Sequence, residues 1–212
     1  MDLPTVNPFL FPTAHARQHA PYGYTNYHEY KPWLRDEFLF RCVYCLQRER
    51  WSREGANIFG TDHLVPQSNP IGPALTCLYT NLVYACNRCN SYRQDCDLPV
   101  DPTVESIGVH VEVRLDGTVV ALTQIGQEVI DLFHMDSRAA INERRRVHNI
   151  LMEYAEEPDH PPHTEAFVYT FGFPDDLPDL VNKRPPGGNT LAENCNNCHH
   201  ARQQLGNLPA VY

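Results

Sequence analysis

The chain has no apolar run that approaches the length of a membrane span. Its opening residues, Met1-Asp2-Leu3-Pro4, show no basic segment leading into an apolar one. The expectation is therefore a protein without a signal peptide, cytoplasmic and free of the membrane. Internal repeats are absent, which removes the solenoid architectures. Positive charge is in deficit: 17 Lys and Arg against 26 Asp and Glu leave a formal net charge of -9. The balance argues against indiscriminate coating of nucleic acid, because neutralising phosphates draws on Lys and Arg. The deficit is local as well as global. Residues 147–182 contain no Lys or Arg, while Glu153, Glu156, Glu157, Asp159, Glu165, Asp175, Asp176 and Asp179 accumulate there.

What the chain does have is enough length for one core with appendages, 212 residues, and an unusual supply of Cys, 8, His, 11, and Pro, 18. Without secretion, the cysteines read as thiols and metal ligands in preference to disulfides. Cys42/Cys45 and Cys86/Cys89 form two Cys-x-x-Cys knuckles. Four thiolates grouped in this way suit a closed, tetrahedral zinc site. Between the knuckles lie Asp62-His63 and Asn81, and Asn90 directly follows the last cysteine. The metal staple thus frames a short list of acid-base and oxygen-donor side chains. Arg41, Arg48, Arg50, Arg53, Arg88 and Arg93 surround the same stretch. A basic face beside an acidic appendage fits binding confined to one groove. Arg144-Arg145-Arg146 is either a second basic patch or the solvated face of a helix.

Along the chain, residues 1–30 are rich in Pro, His and Tyr without a sustained period. They read as an extended arm, wrapped on the domain through its aromatics or mobile. Pro32 suits the first turn of a helix with Leu34 and Phe38 on one face. Residues 46–60 read as a loop, 58–64 as a short strand that places Asp62 and His63 on opposite sides, and 81–84 as its partner. A short helix is expected from about Cys86 to Asp95, with Asn90 and Arg93 sharing a face. Alternating Val109, Val111, Val113 and Leu115 before Asp116-Gly117 predict a β-hairpin with residues 119–122. Ile125, Val129 and Phe133 step by four as a helix does, and Asp136-Ser137 offers an N-cap to a second helix. From Glu156 onward the sequence reads as a Pro- and Asp-rich tail, hinged at Pro185-Pro186-Gly187-Gly188. It ends in Cys195-Asn196-Asn197-Cys198-His199-His200.

The order Cys42-x-x-Cys45, Asp62-His63-Leu64-Val65-Pro66, Asn81-Leu82-Val83 and Cys86-x-x-Cys89-Asn90-x-x-Arg93 resembles the HNH endonucleases, the ββα-metal or His-Me finger family. The chain departs from the family pattern in carrying Asn90 where a His is usual and Arg93 where the trailing residue is usually Lys. The resemblance implies an α+β fold: a zinc-stapled, treble-clef-like ββα core with an added hairpin and helices. The organisation expected is an arm over 1–30, the nuclease core over 31–100, the hairpin and two helices over 101–157, and a tail over 158–212. It further implies a metal-dependent hydrolase of phosphodiester bonds in DNA. His63 would be the general base, because neutral imidazole accepts a proton near neutral pH. Asp62 and Asn90 would hold one Mg²⁺ or Mn²⁺, two hard oxygen donors suiting a hard ion. Asn81 would hold the His63 loop, and Arg93 would bind a phosphate oxygen. Structural zinc is assigned to Cys42, Cys45, Cys86 and Cys89. Cys195 and Cys198, with His199 or His200 and perhaps Cys77 or Cys96, either complete a second zinc site or belong to a flexible end. Bacterial relatives of this size imply a setting in phage defence, with a protein partner such as an ATPase. The competing class is a zinc-stapled module that binds nucleic acid or protein without cutting.

Overall fold

The structure, a computed structural model, describes residues 7–13 and 15–212. The first six residues of the expected arm, and residue 14, lie outside the described residues.

The centre of the fold is one antiparallel strand pair and the helix that follows it. Strand β2 (Phe59–His63) pairs with β3 (Leu82–Cys86) in the register Asp62 to Val83 and His63 to Leu82. Helix α3 (Asn87–Arg93) leaves β3 directly at the second knuckle. Both strands are almost wholly buried, so their sequences do not alternate; Leu82, Val83, Tyr84 and Ala85 are all fully covered. One face and one edge of the pair have different partners. Helix α1 (Lys31–Glu37), with Pro32 in its first turn, covers the face through Trp33 and Leu34. The first knuckle runs along the edge of β3, Val43 N–H donating to the Tyr84 carbonyl.

The first knuckle turns back on itself through Leu46, whose φ of 62° is left-handed and ordinarily favours glycine. Leu46 holds this backbone while being 2% exposed. Packing compensates for a conformation that costs about 1–3 kcal/mol.

The added hairpin forms as its alternation indicates, β4 (Val111–Val113) against β5 (Val119–Ala121). Gly117, at φ +81°, turns the chain, and a Cβ there would lie 2.6 Å from the Ile141 carbonyl. Val111 and Val113 face inward, but Val109 falls in a 3₁₀ turn and is exposed, so the strand starts later than the alternation suggested. Helix α4 (Gln124–Phe133) buries Val129, Ile130 and Phe133. Helix α5 (Arg138–Glu156) starts at Ser137, whose hydroxyl accepts from Ala140 N–H.

Beyond Glu156 the chain is more ordered than its composition indicated. Helix α6 (Pro161–Phe171) begins with Pro161 and Pro162 in its first turn and packs back on α5, Tyr154 stacking on Phe167 with ring centroids 4.0 Å apart. The tail then closes on the arm. Strand β1 (Pro21–Tyr22) pairs with β6 (Gly188–Asn189), and helix α7 (His199–Gln204) brings His199 against Asp36. Of the two readings of the arm, the described part takes the wrapped one: Phe9 is buried, edge-on to Trp51.

The Arg144–Arg146 triplet is split, with Arg145 and Arg146 exposed and Arg144 turned inward. Arg144 is buried and donates to the carbonyls of Gly117 and Met135; Arg145 donates to the Asp116 carbonyl; Arg146 pairs with Glu143. Arg144 and Arg145 clamp the hairpin turn.

Candidate active site

The cysteine cluster joins the two knuckles across the strand pair. The sulfurs of Cys42, Cys45, Cys86 and Cys89 all lie within 4.8 Å of one another. Cys45 and Cys86 are 3.7 Å apart. A tetrahedral zinc with Zn–S bonds of about 2.3 Å separates its sulfurs by about 3.8 Å. The donor set therefore fits this ion with little rearrangement, and three of the four cysteines are buried. Hydrogen bonds from the neighbouring thiols hold the Cys45 thiol well below its usual range, and Arg88 reinforces this from the side. Four sulfurs fill a tetrahedral ion's positions, the donor arrangement of structural zinc sites.

Tyr44, inside the first knuckle, carries the influence of that centre to the strand. Its hydroxyl donates to Asp62 Oδ2 at 2.7 Å, and its ring stacks on Phe133. Burial, with the Asp62 carboxylate beside it, pushes the phenol well above its ordinary value, so it stays a donor. Sequence reasoning passed over Tyr44; a knuckle tyrosine carries no motif, and only the fold brings it to Asp62.

Asp62 is 4% exposed and its oxygens are engaged. Oδ1 accepts from its neighbour's backbone, His63 N–H, at 2.8 Å and from Arg93 Nη1 at 2.7 Å. With Tyr44 on Oδ2, one acceptor position on that oxygen remains, since a carboxylate offers about four. Arg93, expected at a phosphate, lies inside instead. It is fully buried and donates to Asp62, to the His63 carbonyl and to the Leu64 carbonyl, the last at 2.8 Å. Its fork closes the end of β2 onto α3, which a lysine in that position could not do.

His63 is 7% exposed and lies edge-on to Tyr27, with ring centroids 4.6 Å apart. Its Nε2 is 3.1 Å from the Thr76 carbonyl oxygen. A carbonyl only accepts, so Nε2 carries the hydrogen and Nδ1 is left as the basic nitrogen. The Gln67 amide, 3.4 Å from the same nitrogen, is too distant to compete. Burial lowers the imidazole's pKa, and the Thr76 contact and the Asp62 charge only partly offset it.

The loop between the strands is fastened by Asn81. Its Oδ1 accepts from Val65 N–H at 2.8 Å, and its Nδ2 donates to the carbonyls of Val65 and Leu75. Gly72 lets α2 (Gly72–Leu75) lie against this loop, because a Cβ there would be 2.2 Å from the Pro66 carbonyl. Asn90 is half-buried on α3, three residues before the buried Arg93.

The structure therefore gathers Asp62, Arg93 and His63 at one strand end, with Asn81 behind the following loop. It does not bring Cys195 and Cys198 into a metal-type group. Among the described residues no third Cys, His, Asp or Glu completes such a cluster around them. Asn189 donates to the Cys195 sulfur, and His199 is turned to Asp36. Cys77 and Cys96 are not part of any such group among the described residues either. The basic surround is thinner than the sequence suggested, since Arg48 and Arg93 are buried and Arg50 is paired with Asp175. Arg53 and Arg88 remain exposed.

Among the described residues no helix is long and apolar enough to cross a membrane. No curated protein and no solved structure matches the chain. Residues 42–95, from the first cysteine of the first knuckle to just past α3, match the model of the HNH endonuclease family, so this ββα unit is similar to an HNH endonuclease domain.

Proposed function

We propose that this domain hydrolyses phosphodiester bonds in DNA, with His63 as the general base. The observation that carries the reading is the bond from His63 Nε2–H to the Thr76 carbonyl. It fixes the tautomer, so that Nδ1 can take a proton from an attacking water. Burial supports the same role, because a lowered pKa keeps the ring neutral around neutral pH. Asn81 ties down the loop that follows His63, and Arg93 holds the backbone at His63 and Leu64. Both are positioning residues in this reading, and Arg93 leaves the role of phosphate ligand.

One divalent ion, Mg²⁺ or Mn²⁺, would be held by the free acceptor position of Asp62 and by the Asn90 amide oxygen. When bound, such an ion offsets the charge that develops on the phosphoryl and leaving oxygens. The donor set fits a hard ion but not a tight one. Arg93 already places a cation 2.7 Å from Asp62, and a second cation must tolerate that charge. The ion therefore belongs to the complex with substrate, whose phosphate supplies further oxygens.

A second reading has one observation in its favour. Asp62 is engaged by Arg93 and Tyr44, and His63 is covered by Tyr27. A zinc-stapled module that binds DNA without cutting it would tolerate this arrangement. Single-turnover cleavage of a labelled duplex with Mg²⁺ or Mn²⁺, beside a binding titration, separates the two. The nuclease reading expects His63→Ala to lower the rate by about 10²–10⁴ while affinity holds. Asp62→Ala and Asn90→Ala should be partly rescued by excess Mn²⁺. Wild-type binding without cleavage under both ions would select the module.

A further inference from the structure

The corner between α5 and α6 holds a group of side chains that the nuclease reading does not use. Glu157 ends α5, His160 stands at the N-cap of α6, and His163 lies in its first turn. One ligand atom from each lies within 4.8 Å of the other two. The His163 Nδ1 is 3.7 Å from the Glu157 carboxylate, beyond hydrogen-bond range. That nitrogen is also shielded from solvent and has no hydrogen-bond partner. The two imidazole centroids are 4.2 Å apart. A tetrahedral ion with Zn–N and Zn–O bonds of about 2.0–2.1 Å spaces its donors by about 3.4 Å. The gap between His163 and Glu157 is close to that edge.

The backbone that presents these groups is stiff. Pro161 and Pro162 fix two φ angles between the histidines. His160 N–H donates to the Glu157 carbonyl, and Thr164 Oγ1 donates to the Pro158 carbonyl. Little backbone entropy remains to be lost on binding. The local charge is favourable, since Glu153, Glu156 and Asp159 flank the corner and residues 147–182 contain no Lys or Arg.

We propose that Glu157, His160 and His163 form a second metal site, for a borderline divalent ion of the Zn²⁺ class. Two imidazoles and one carboxylate select Zn²⁺, Co²⁺ or Ni²⁺ over Mg²⁺ or Ca²⁺. Three protein donors leave one position to water. Its effect is on the helical corner. Helix α6 runs on to Thr170, whose carbonyl accepts from Trp51 Nε1–H just after the first knuckle. An ion at the corner would fix α5 to α6 and brace the buttress behind the cysteine cluster. The site is distinct from both Cys-x-x-Cys knuckles and from Cys195/Cys198.

The test is zinc content by elemental analysis, and calorimetric titration of Zn²⁺ into full-length protein already carrying its tightly held zinc. One further equivalent is expected in wild type. His160→Gln combined with His163→Gln should abolish it, and these surface changes should leave the fold and the first zinc in place. Loss of an outer-shell partner alone costs about 10–100-fold in affinity, so Glu157→Gln, which removes a charged ligand, should weaken binding at least about tenfold. Thermal unfolding should rise with added Zn²⁺ in wild type and not in the double variant. Absence of a second equivalent, or its retention in the double variant and loss in Cys195→Ser with Cys198→Ser, would overturn the proposal. Equal affinity in Glu157→Gln would also count against it, leaving a chance pair of surface histidines.

Discussion

Arg93 Nη1 lies 2.7 Å from Asp62 Oδ1, in a pair that solvent does not reach. The pair sits at the point where β2 hands over to the Asn81-bound loop, so its first consequence is mechanical. Removing one partner of a buried ion pair leaves an uncompensated charge and costs about 3–5 kcal/mol. Arg93→Ala should therefore lose that much in urea unfolding of the zinc-loaded protein. Arg93→Lys keeps the charge but not the fork that serves Asp62, His63 and Leu64 together, and should fall between. A loss under about 0.5 kcal/mol in Arg93→Ala, the range of an ordinary surface change, would show that the guanidinium is not the clasp described.

Tyr44 supplies the other half of the Asp62 environment. Its hydroxyl donates to a charged acceptor in a buried setting, a bond of the class worth about 1.5–3 kcal/mol. Tyr44→Phe should lower stability by about that amount and leave zinc content unchanged, because the flanking cysteines keep their positions. A double-mutant cycle with Asp62→Asn should show coupling well outside additivity. Independent, additive losses would place the hydroxyl elsewhere in solution.

Much of this site was legible before the fold was known, and the boundary of legibility has physical causes. Cys-x-x-Cys spacing is read directly because metal geometry fixes it, and the strands between the knuckles and the helix at the second one follow. Tyr44 and the inward turn of Arg93 were not legible. Both depend on which side chain meets Asp62 across a tertiary contact, and no period or spacing encodes that. The long helix start at Pro161-Pro162 was legible in principle, since proline favours the first helical turn. The abundance of Pro and Asp around it drew the reading toward a tail. The folding back of that tail rests on β1–β6 pairing and on His199 meeting Asp36, contacts between chain ends that local sequence does not announce.

The cysteine cluster should govern folding of the unit it joins. The knuckles reach each other only across the β2–β3 pair, and Tyr44 depends on the first knuckle for its aim. Metal-binding free energy at such a site is folding free energy. Stripping zinc with a strong chelator should collapse near-ultraviolet circular dichroism from the Tyr44 and Phe133 region and expose the core to proteolysis. Cys45→Ser with Cys89→Ser should do the same without chelator. Retention of native dichroism and urea midpoint in metal-free protein would show a fold that does not need the ion.

Asp36 predicts how the chain ends respond to acid. Its carboxylate accepts from His19 Nε2 at 2.8 Å and from His199 Nδ1 at 2.8 Å, so arm, α1 and tail meet on one group. Burial pushes the carboxyl up, but the bonds from His19 and His199 outweigh it and hold it well below the usual carboxylate range. Glu37, next along α1, is also held down, through His15 and the Gln18 backbone, against its own burial. Both folded values are below the unfolded ones, about 3.9 for Asp and 4.3 for Glu. The unfolded chain therefore binds more protons once pH drops into that range. Their stabilisation is complete above about pH 5 and is lost progressively as pH falls toward the folded values. Asp36→Asn should flatten the fall in unfolding free energy between pH 5 and pH 3. His199→Ala should make the fall smaller and end it at a higher pH, because with one donor gone the folded carboxyl is held down less. An unchanged acid slope in Asp36→Asn, measured by urea unfolding across that window, would mean the arm and tail are not joined through this carboxylate.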